Sequence, residues 1–197
     1  MQVHVAAVGR PYVDGDSLDF SAPLVFSIAG VMTAEECADM IARTEAAGYD
    51  DAPITTPAGF VMRKDVRNNT RVMFDDPAFA ATLFERIQPS IPATLCGRRA
   101  CGVNERFRCY RYEPMQRFAP HYDGAFQRNE HERSELTFMI YLNDQFTGGT
   151  TRFLDFDVTV VPRTGDALLF QHLLHHEGAT VESGRKYALR SDVMYRD

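Results

Sequence analysis

Five of the six histidines fall between His121 and His176, and the first of these opens the tripeptide His121-Tyr122-Asp123. On a strand or at its end, residues i and i+2 project to the same side, so one imidazole and one carboxylate can converge on a single ion. His172, His175 and His176 each offer a third ligand far downstream. Two imidazoles and one carboxylate hold a metal on one face and leave three coordination positions open for a co-substrate and oxygen, a set that suits non-haem Fe(II). Zinc accepts the same donors, so ligand type alone does not choose the metal. A surface histidine paired with its neighbour's carboxylate would also account for the tripeptide, and a polar strand end for the 172–176 cluster. Cys37, Cys96, Cys101 and Cys109 contain no C-x-x-C pair, which argues against a zinc knuckle. They read as reduced thiols of a cytoplasmic protein.

These residues need a frame. The chain has 197 residues, 21 basic and 27 acidic side chains and a net charge of −6. That length predicts one domain with a core of its own. The acidic balance argues against affinity built on phosphate neutralisation, so no nucleic-acid partner is expected. No run approaches the ~18 apolar residues that cross a bilayer, and no basic segment precedes an apolar one at the start, so no membrane partner or leader is expected either. A small molecule or a peptide is the expected partner, with the oligomeric state open.

The first thirty residues read as extended, with a short strand over 24–28. Thr33 and Glu36 form a capping box for a first helix whose buried face is Cys37, Met40 and Ile41 and whose end is Gly48. Pro53, Pro57 and Gly59 mark a loop, followed by a polar, basic stretch over 63–71 with strand-like ends. Asp76 and Pro77 start a second helix with the stripe Phe79, Leu83, Phe84 and Ile87, stopped by Pro89. From Glu105 onward, strand-like runs follow at 107–113, 136–142, 151–153, 158–161, 167–170, 179–181 and 187–195. Many short strands at this spacing predict a sandwich or barrel, with the two helices laid against a mainly β core.

Several ordered segments then carry a resemblance. They are Tyr112-x8-His121-x-Asp123, the run from Leu136 to Asn143, Gly148-Gly149-Thr150-Thr151-Arg152-Phe153, His176-Glu177-Gly178 and Gly184-Arg185-Lys186-Tyr187. Together they resemble the prolyl-4-hydroxylase-like branch of the Fe(II)- and 2-oxoglutarate-dependent dioxygenases over residues 107–195, nearly half the chain. The resemblance implies a double-stranded β-helix (a cupin-like jelly roll) with N-terminal helices packed on one sheet. It divides a single 1–197 domain into helices and lid at 1–104 and a catalytic core at 105–197. It also implies hydroxylation of an unactivated C–H bond of a prolyl or other amino-acid residue, or of a small metabolite, with release of succinate and CO2. Fe(II), 2-oxoglutarate and O2 would be required, with ascorbate as reductant.

In that family the distal ligand precedes a small pair such as Glu-Gly, and a basic residue stands about ten positions on. His176 with Lys186 satisfies both, and adjacent strand residues face opposite sides, so His175 cannot share the ion with His176. The implied ligands are thus His121, Asp123 and His176, with His172 and His175 in the surrounding wall. Lys186 is expected to meet the distal carboxylate of 2-oxoglutarate, because a buried carboxylate needs a partner. Tyr112, Thr137 and Tyr141 would supply hydroxyls around it. Arg190, on the same face as Lys186, is a rival anchor or a substrate contact. The resemblance places substrate-covering segments at 63–71 and 125–134, where Arg67, Asn69, Arg71, Gln127 and Arg128 offer donors. Two other readings remain: an idle jelly-roll module that binds a metal or small acid, and a cupin-like zinc hydrolase. The second leaves Lys186 without a purpose.

Overall fold

The computed structural model describes residues 3–6, 18–56 and 59–197. Of the expected extended start and first loop, residues 1–2, 7–17 and Pro57 lie outside the described residues. The elements that frame the cavity are β1 (Val25–Ile28), α1 (Ala34–Ala47), β2 (Thr70–Asp75), α2 (Pro77–Ile87), β3 (Arg106–Tyr112), β4 (Phe118–His121), β5 (Glu132–Tyr141), β6 (Thr151–Phe153), β7 (Ala167–Gln171), β8 (His176–Gly178) and β9 (Lys186–Arg196).

Both helices start where their caps predict. Thr33 accepts from the Glu36 amide while the Glu36 carboxylate accepts from that of Thr33, and Asp76 accepts from the Phe79 amide one residue before Pro77. Arg86 of α2 binds Glu36 at 2.6 Å and, with the cap, holds its carboxyl down to about 2. The two helices are therefore tied to each other as well as to the sheet.

β1, β7, β5, β9, β3 and β2 lie side by side in one large sheet, each antiparallel to its neighbour. Strand alternation gives this sheet two unlike faces. On the outer face, Phe107, Cys109, Phe138 and Leu189 pack against Cys37 and Met40 of α1 and Leu83 and Ile87 of α2. The inner face carries the alternate residues. Part of it, with Tyr141, Leu168 and Phe170, packs on Phe153 and Val158 of a smaller sheet. That sheet runs β4, β8, β6 and then Val158–Val160. The result is the mainly β, double-sheet architecture expected, with helices on one side.

Two expectations are corrected. The strand expected over 179–181 is instead a break between β8 and the strand Val181–Gly184, which pairs not with the smaller sheet but with Phe146–Gly148. The boundary expected at 104/105 does not separate helices from sheet. β1, β2 and Arg98–Val103 all join the large sheet, the last of them alongside β9. The Arg98-Arg99 pair that begins this strand hides its alternation in the sequence.

Candidate active site

His121 ends β4, Asp123 follows it, and His176 begins β8, where His121 and His176 are paired across the ladder. Their ligand atoms lie within 4.8 Å of one another. His121 Nε2 is 3.6 Å from Asp123 Oδ1, and His176 Nε2 is 3.8 Å from Asp123 Oδ2. The Nδ1 atom of His121 lies 2.8 Å from the Ala119 carbonyl, and that of His176 lies 2.8 Å from the Leu174 carbonyl. A carbonyl can only accept, so each Nδ1 carries the proton and each Nε2 turns a lone pair inward. Two lone pairs and a carboxylate converging without a donor between them repel unless a cation joins them. This donor set fits a divalent metal of the Fe(II) kind. Burial pushes His176 down to about 4, so it is neutral and able to ligate at neutral pH. Burial would raise Asp123, but Arg190 and the two imidazoles outweigh it and hold the carboxyl well below its ordinary value.

A directional chain of hydrogen bonds backs Asp123. The Phe126 amide donates to Ser134 Oγ, which meets His172 Nε2 at 2.7 Å. His172 Nδ1 lies 3.0 Å from Thr137 Oγ1, and that hydroxyl donates to Asp123 Oδ2 at 2.7 Å. Burial keeps His172 below its ordinary value, and the neutral imidazole is the form that completes the chain. Thr137, expected among the co-substrate hydroxyls, is thus engaged on the carboxylate instead. Thr137→Val is expected to weaken Fe(II) binding by roughly 10–100-fold, the usual range for partners of a metal ligand. Metal titration of the variant checks this, and unchanged affinity would refute it. His175 stacks on Tyr122 at 4.8 Å and takes no part in the cluster.

Lys186, the first residue of β9, is buried, and its ammonium donates to the Gly149 carbonyl at 2.6 Å. No carboxylate of the described residues forms an ion pair with it, and burial alone pushes it down to about 8. Gly149 stands at φ +61, and a Cβ there would lie 2.9 Å from the Phe146 ring and 3.2 Å from Lys186 Cδ, so glycine is required for the ammonium to be seated. The rings of Tyr112 and Tyr141 each lie 5.4 Å from Nζ. Tyr112 lines the cavity, whereas Tyr141 bonds Thr151 Oγ1 at 2.8 Å and backs the wall. An unpaired buried ammonium is costly, and its place fits the carboxylate end of an acid. Arg190 is occupied differently. Its Nη2 lies 3.1 Å from Asp123 Oδ2 and 3.3 Å from Asp192 Oδ1.

Both groups open into one cavity of about 580 Å³. Of the five residues expected to meet the substrate, Arg67 and Arg71 line the cavity, and Asn69, Gln127 and Arg128 do not. Asn69 is buried and accepts from Arg67 Nε at 2.7 Å, so it props an arginine rather than meeting a ligand. Arg128 is held between Glu105 and Glu132, and Gln127 bonds the backbone at Asn129. The residues of the 125–134 segment that reach the cavity are Ala125 and Phe126, next to Gly124. Sequence reasoning missed Arg108, Tyr110 and Asp192, which also line it. Their signal was parity: 108 and 110 share the face of Tyr112, and 192 that of Lys186 and Arg190.

Residues 107–191 match the 2OG-Fe(II) oxygenase superfamily. Over 101 residues the chain is 33% identical to a putative prolyl 4-hydroxylase of Acanthamoeba polyphaga mimivirus, a match that covers 42% of this chain and 42% of that protein's length. In fold the chain is similar to the viral collagen prolyl hydroxylase of Paramecium Bursaria Chlorella virus-1 in its 2OG complex. The TM-score is 0.63 at 20% identity, over 90% of this chain and 98% of that one. It is similar too to a Trichoplax adhaerens prolyl hydroxylase in complex with a hypoxia inducible factor oxygen degradation domain peptide fragment. There the TM-score is 0.65 at 14% identity, over 88% of this chain and 84% of that one. The stretch from Phe107 to Ser191 thus matches the 2OG-Fe(II) oxygenase superfamily, and the chain is similar in sequence to a putative prolyl 4-hydroxylase and in fold to prolyl hydroxylases.

Proposed function

We propose that the chain is an Fe(II)- and 2-oxoglutarate-dependent dioxygenase that hydroxylates an unactivated C–H bond of an amino-acid residue or a small metabolite. One observation carries the reading: a single cavity is lined by a converging His–Asp–His donor set and by a buried lysine that has no carboxylate partner among the described residues. Bound Fe(II), with 2-oxoglutarate and O2, supplies the oxidising power that side chains lack. His121, Asp123 and His176 would hold the metal through three donors. Thr137 and Arg190 fix the orientation of the Asp123 carboxylate. Lys186 pairs with the far carboxylate of 2-oxoglutarate, since Arg190 is already committed to Asp123 and Asp192. Tyr112 packs beside that ammonium, while Phe118, Phe153 and Phe170 surround the imidazoles and exclude water.

The whole chain would act as one catalytic unit, because strands from both halves build the sheet. Four free cysteines are consistent with a reducing, cytoplasmic setting. Among the described residues no helix is long and apolar enough to cross a membrane. Ascorbate is the reductant expected from the family resemblance.

The test is Fe(II)-dependent conversion of 2-oxoglutarate to succinate, followed by mass spectrometry for a product gaining one oxygen across peptide and metabolite pools. Absence of both conversions would overturn the reading. A pH dependence accompanies it. Lys186 is charged below about 8 and neutral above, and only the charged form attracts the dianion. The Kd for 2-oxoglutarate should therefore rise above that value, approaching roughly tenfold per pH unit. The protein without ligand should show the opposite trend. Unfolding lets Lys186 regain its proton between about 8 and its ordinary value of 10.5, so stability rises with pH across that window. Calorimetric titrations across this range check both signs.

A further inference from the structure

The cavity wall carries more positive charge than the proposed reaction uses. Among the described residues its lining holds Arg67, Arg71, Arg108, Lys186 and Arg190 against Asp123 and Asp192, in a chain whose net charge is −6. The pairing of β3 with β9 sets Arg108 directly opposite Arg190, and β2 sets Arg71 opposite Tyr110. Like charges across a ladder repel. Asp192 answers part of this, 3.3 Å from Arg190 and 3.8 Å from Arg108. Arg67, only 5% exposed, stacks 4.2 Å from the Tyr110 ring and 4.4 Å from that of Phe118. Its Nε is fixed by Asn69, yet Nη2, like Nη1 of Arg108, is buried without a hydrogen-bond partner among the described residues.

A buried guanidinium N–H without an acceptor costs free energy, and an oxyacid accepting from both arginines would recover it. Stacking fixes the plane of Arg67 and leaves one edge to bind a carboxylate or phosphate. Burial would raise the Tyr110 phenol, but Arg67, Arg190 and Arg108 outweigh it and hold it below its ordinary value, a measure of the local field. Lys186 cannot account for this subsite. It lies four positions from Arg190, roughly 13 Å along β9.

We propose that the substrate is a small acid, held through its own carboxylate or phosphate by Arg67, Arg71 and Arg108. This rests on the dioxygenase reading and names the substrate class of the same cavity. The acid group sits close to the carbon that reacts, because Arg108 faces Arg190, which touches Asp123.

The full chain, saturated anaerobically with Fe(II) and 2-oxoglutarate, is titrated calorimetrically with matched probes. These are N-acetylproline against N-acetylprolinamide, N-acetylleucine against its amide, and O-phosphoserine against serine. At least one acid should bind about tenfold or more tightly than its neutral partner. Preference in the acyl pairs identifies a carboxylate, and preference in the phosphoserine pair a phosphate. Arg108→Gln and Arg71→Gln should each reduce the preference below about threefold while still binding 2-oxoglutarate, which separates the effect from loss of fold. Neutral probes binding as tightly as acids, or no acid binding while 2-oxoglutarate binds, would overturn the proposal alone. Failure to bind 2-oxoglutarate at all removes the dioxygenase reading and this proposal with it.

Discussion

His176→Ala is expected to abolish Fe(II) binding, while His175→Ala leaves it within about twofold. The two residues are adjacent, yet their surroundings differ entirely. His176 is buried between Phe153 and Phe170, with its Nδ1 on the Leu174 carbonyl and its Nε2 toward Asp123. His175 is turned away, against Tyr122. Losing one of three protein ligands removes an anchor that the other two cannot replace, because Asp123 is held in place by Thr137 and Arg190. The readout is the weak visible charge-transfer band that Fe(II) and 2-oxoglutarate give anaerobically, with metal content measured in parallel. Wild-type protein should show the band, His175→Ala should retain it, and His176→Ala should not. The reverse result would reassign the ligand. Truncation at His176 also opens a cavity between two phenylalanines, so the melting temperature must be recorded to separate lost metal from lost fold.

Lys186→Met should divide binding from stability. Methionine keeps an unbranched stem of similar length but removes the charge. The Kd for 2-oxoglutarate should rise by roughly 10²–10³-fold, since breaking a buried charge pair costs about 3–5 kcal/mol. The ligand-free protein, by contrast, should become more stable. Lys186 there is a buried ammonium whose counterweights among the described residues are one hydrogen bond to Gly149 and the rings of Tyr112 and Tyr141, with no carboxylate. The substitution leaves that carbonyl unpaired at about 1 kcal/mol. It also lifts a desolvation penalty of several kcal/mol. For a chain of this size each kcal/mol recovered raises Tm by about 2–4 °C. A variant that bound 2-oxoglutarate normally, or melted lower than wild type without ligand, would show that Lys186 is structural.

The sequence was informative where short-range physics sets the outcome. Both helix starts follow from side chains within four residues of the cap, and both appear where Thr33 and Asp76 place them. Strand parity likewise puts Thr137 and Tyr141 on one face, and the His121–Asp123 pair follows from spacing alone. What stayed hidden depends on partners distant in sequence. Asn69 looks like a loop donor until Arg67 folds over it, and Arg128 looks available until Glu105 and Glu132 take it. Thr137 could be assigned to a face but not to Asp123 or His172, since neither lies near it in the chain. Arg108 was the avoidable omission. It lies within the expected strand over 107–113, and counting by two from Tyr112 reaches it.

The position of β9 has a consequence for synthesis. It carries Lys186 and Arg190, and it is bonded on one side to β3 and on the other to β5, both of which precede it in the chain. A ribosome delivers β3 and β5 first, as two strands with an open slot between them. Until β9 emerges, each shows an unsatisfied edge to solvent and to other nascent chains. The same insertion that closes this slot brings in the lysine and the arginine, so the chain passes from aggregation-prone to ligand-competent in one event. Premature release of the nascent chain before Lys186 would therefore yield an unpaired sheet, not a folded protein lacking only its anchor.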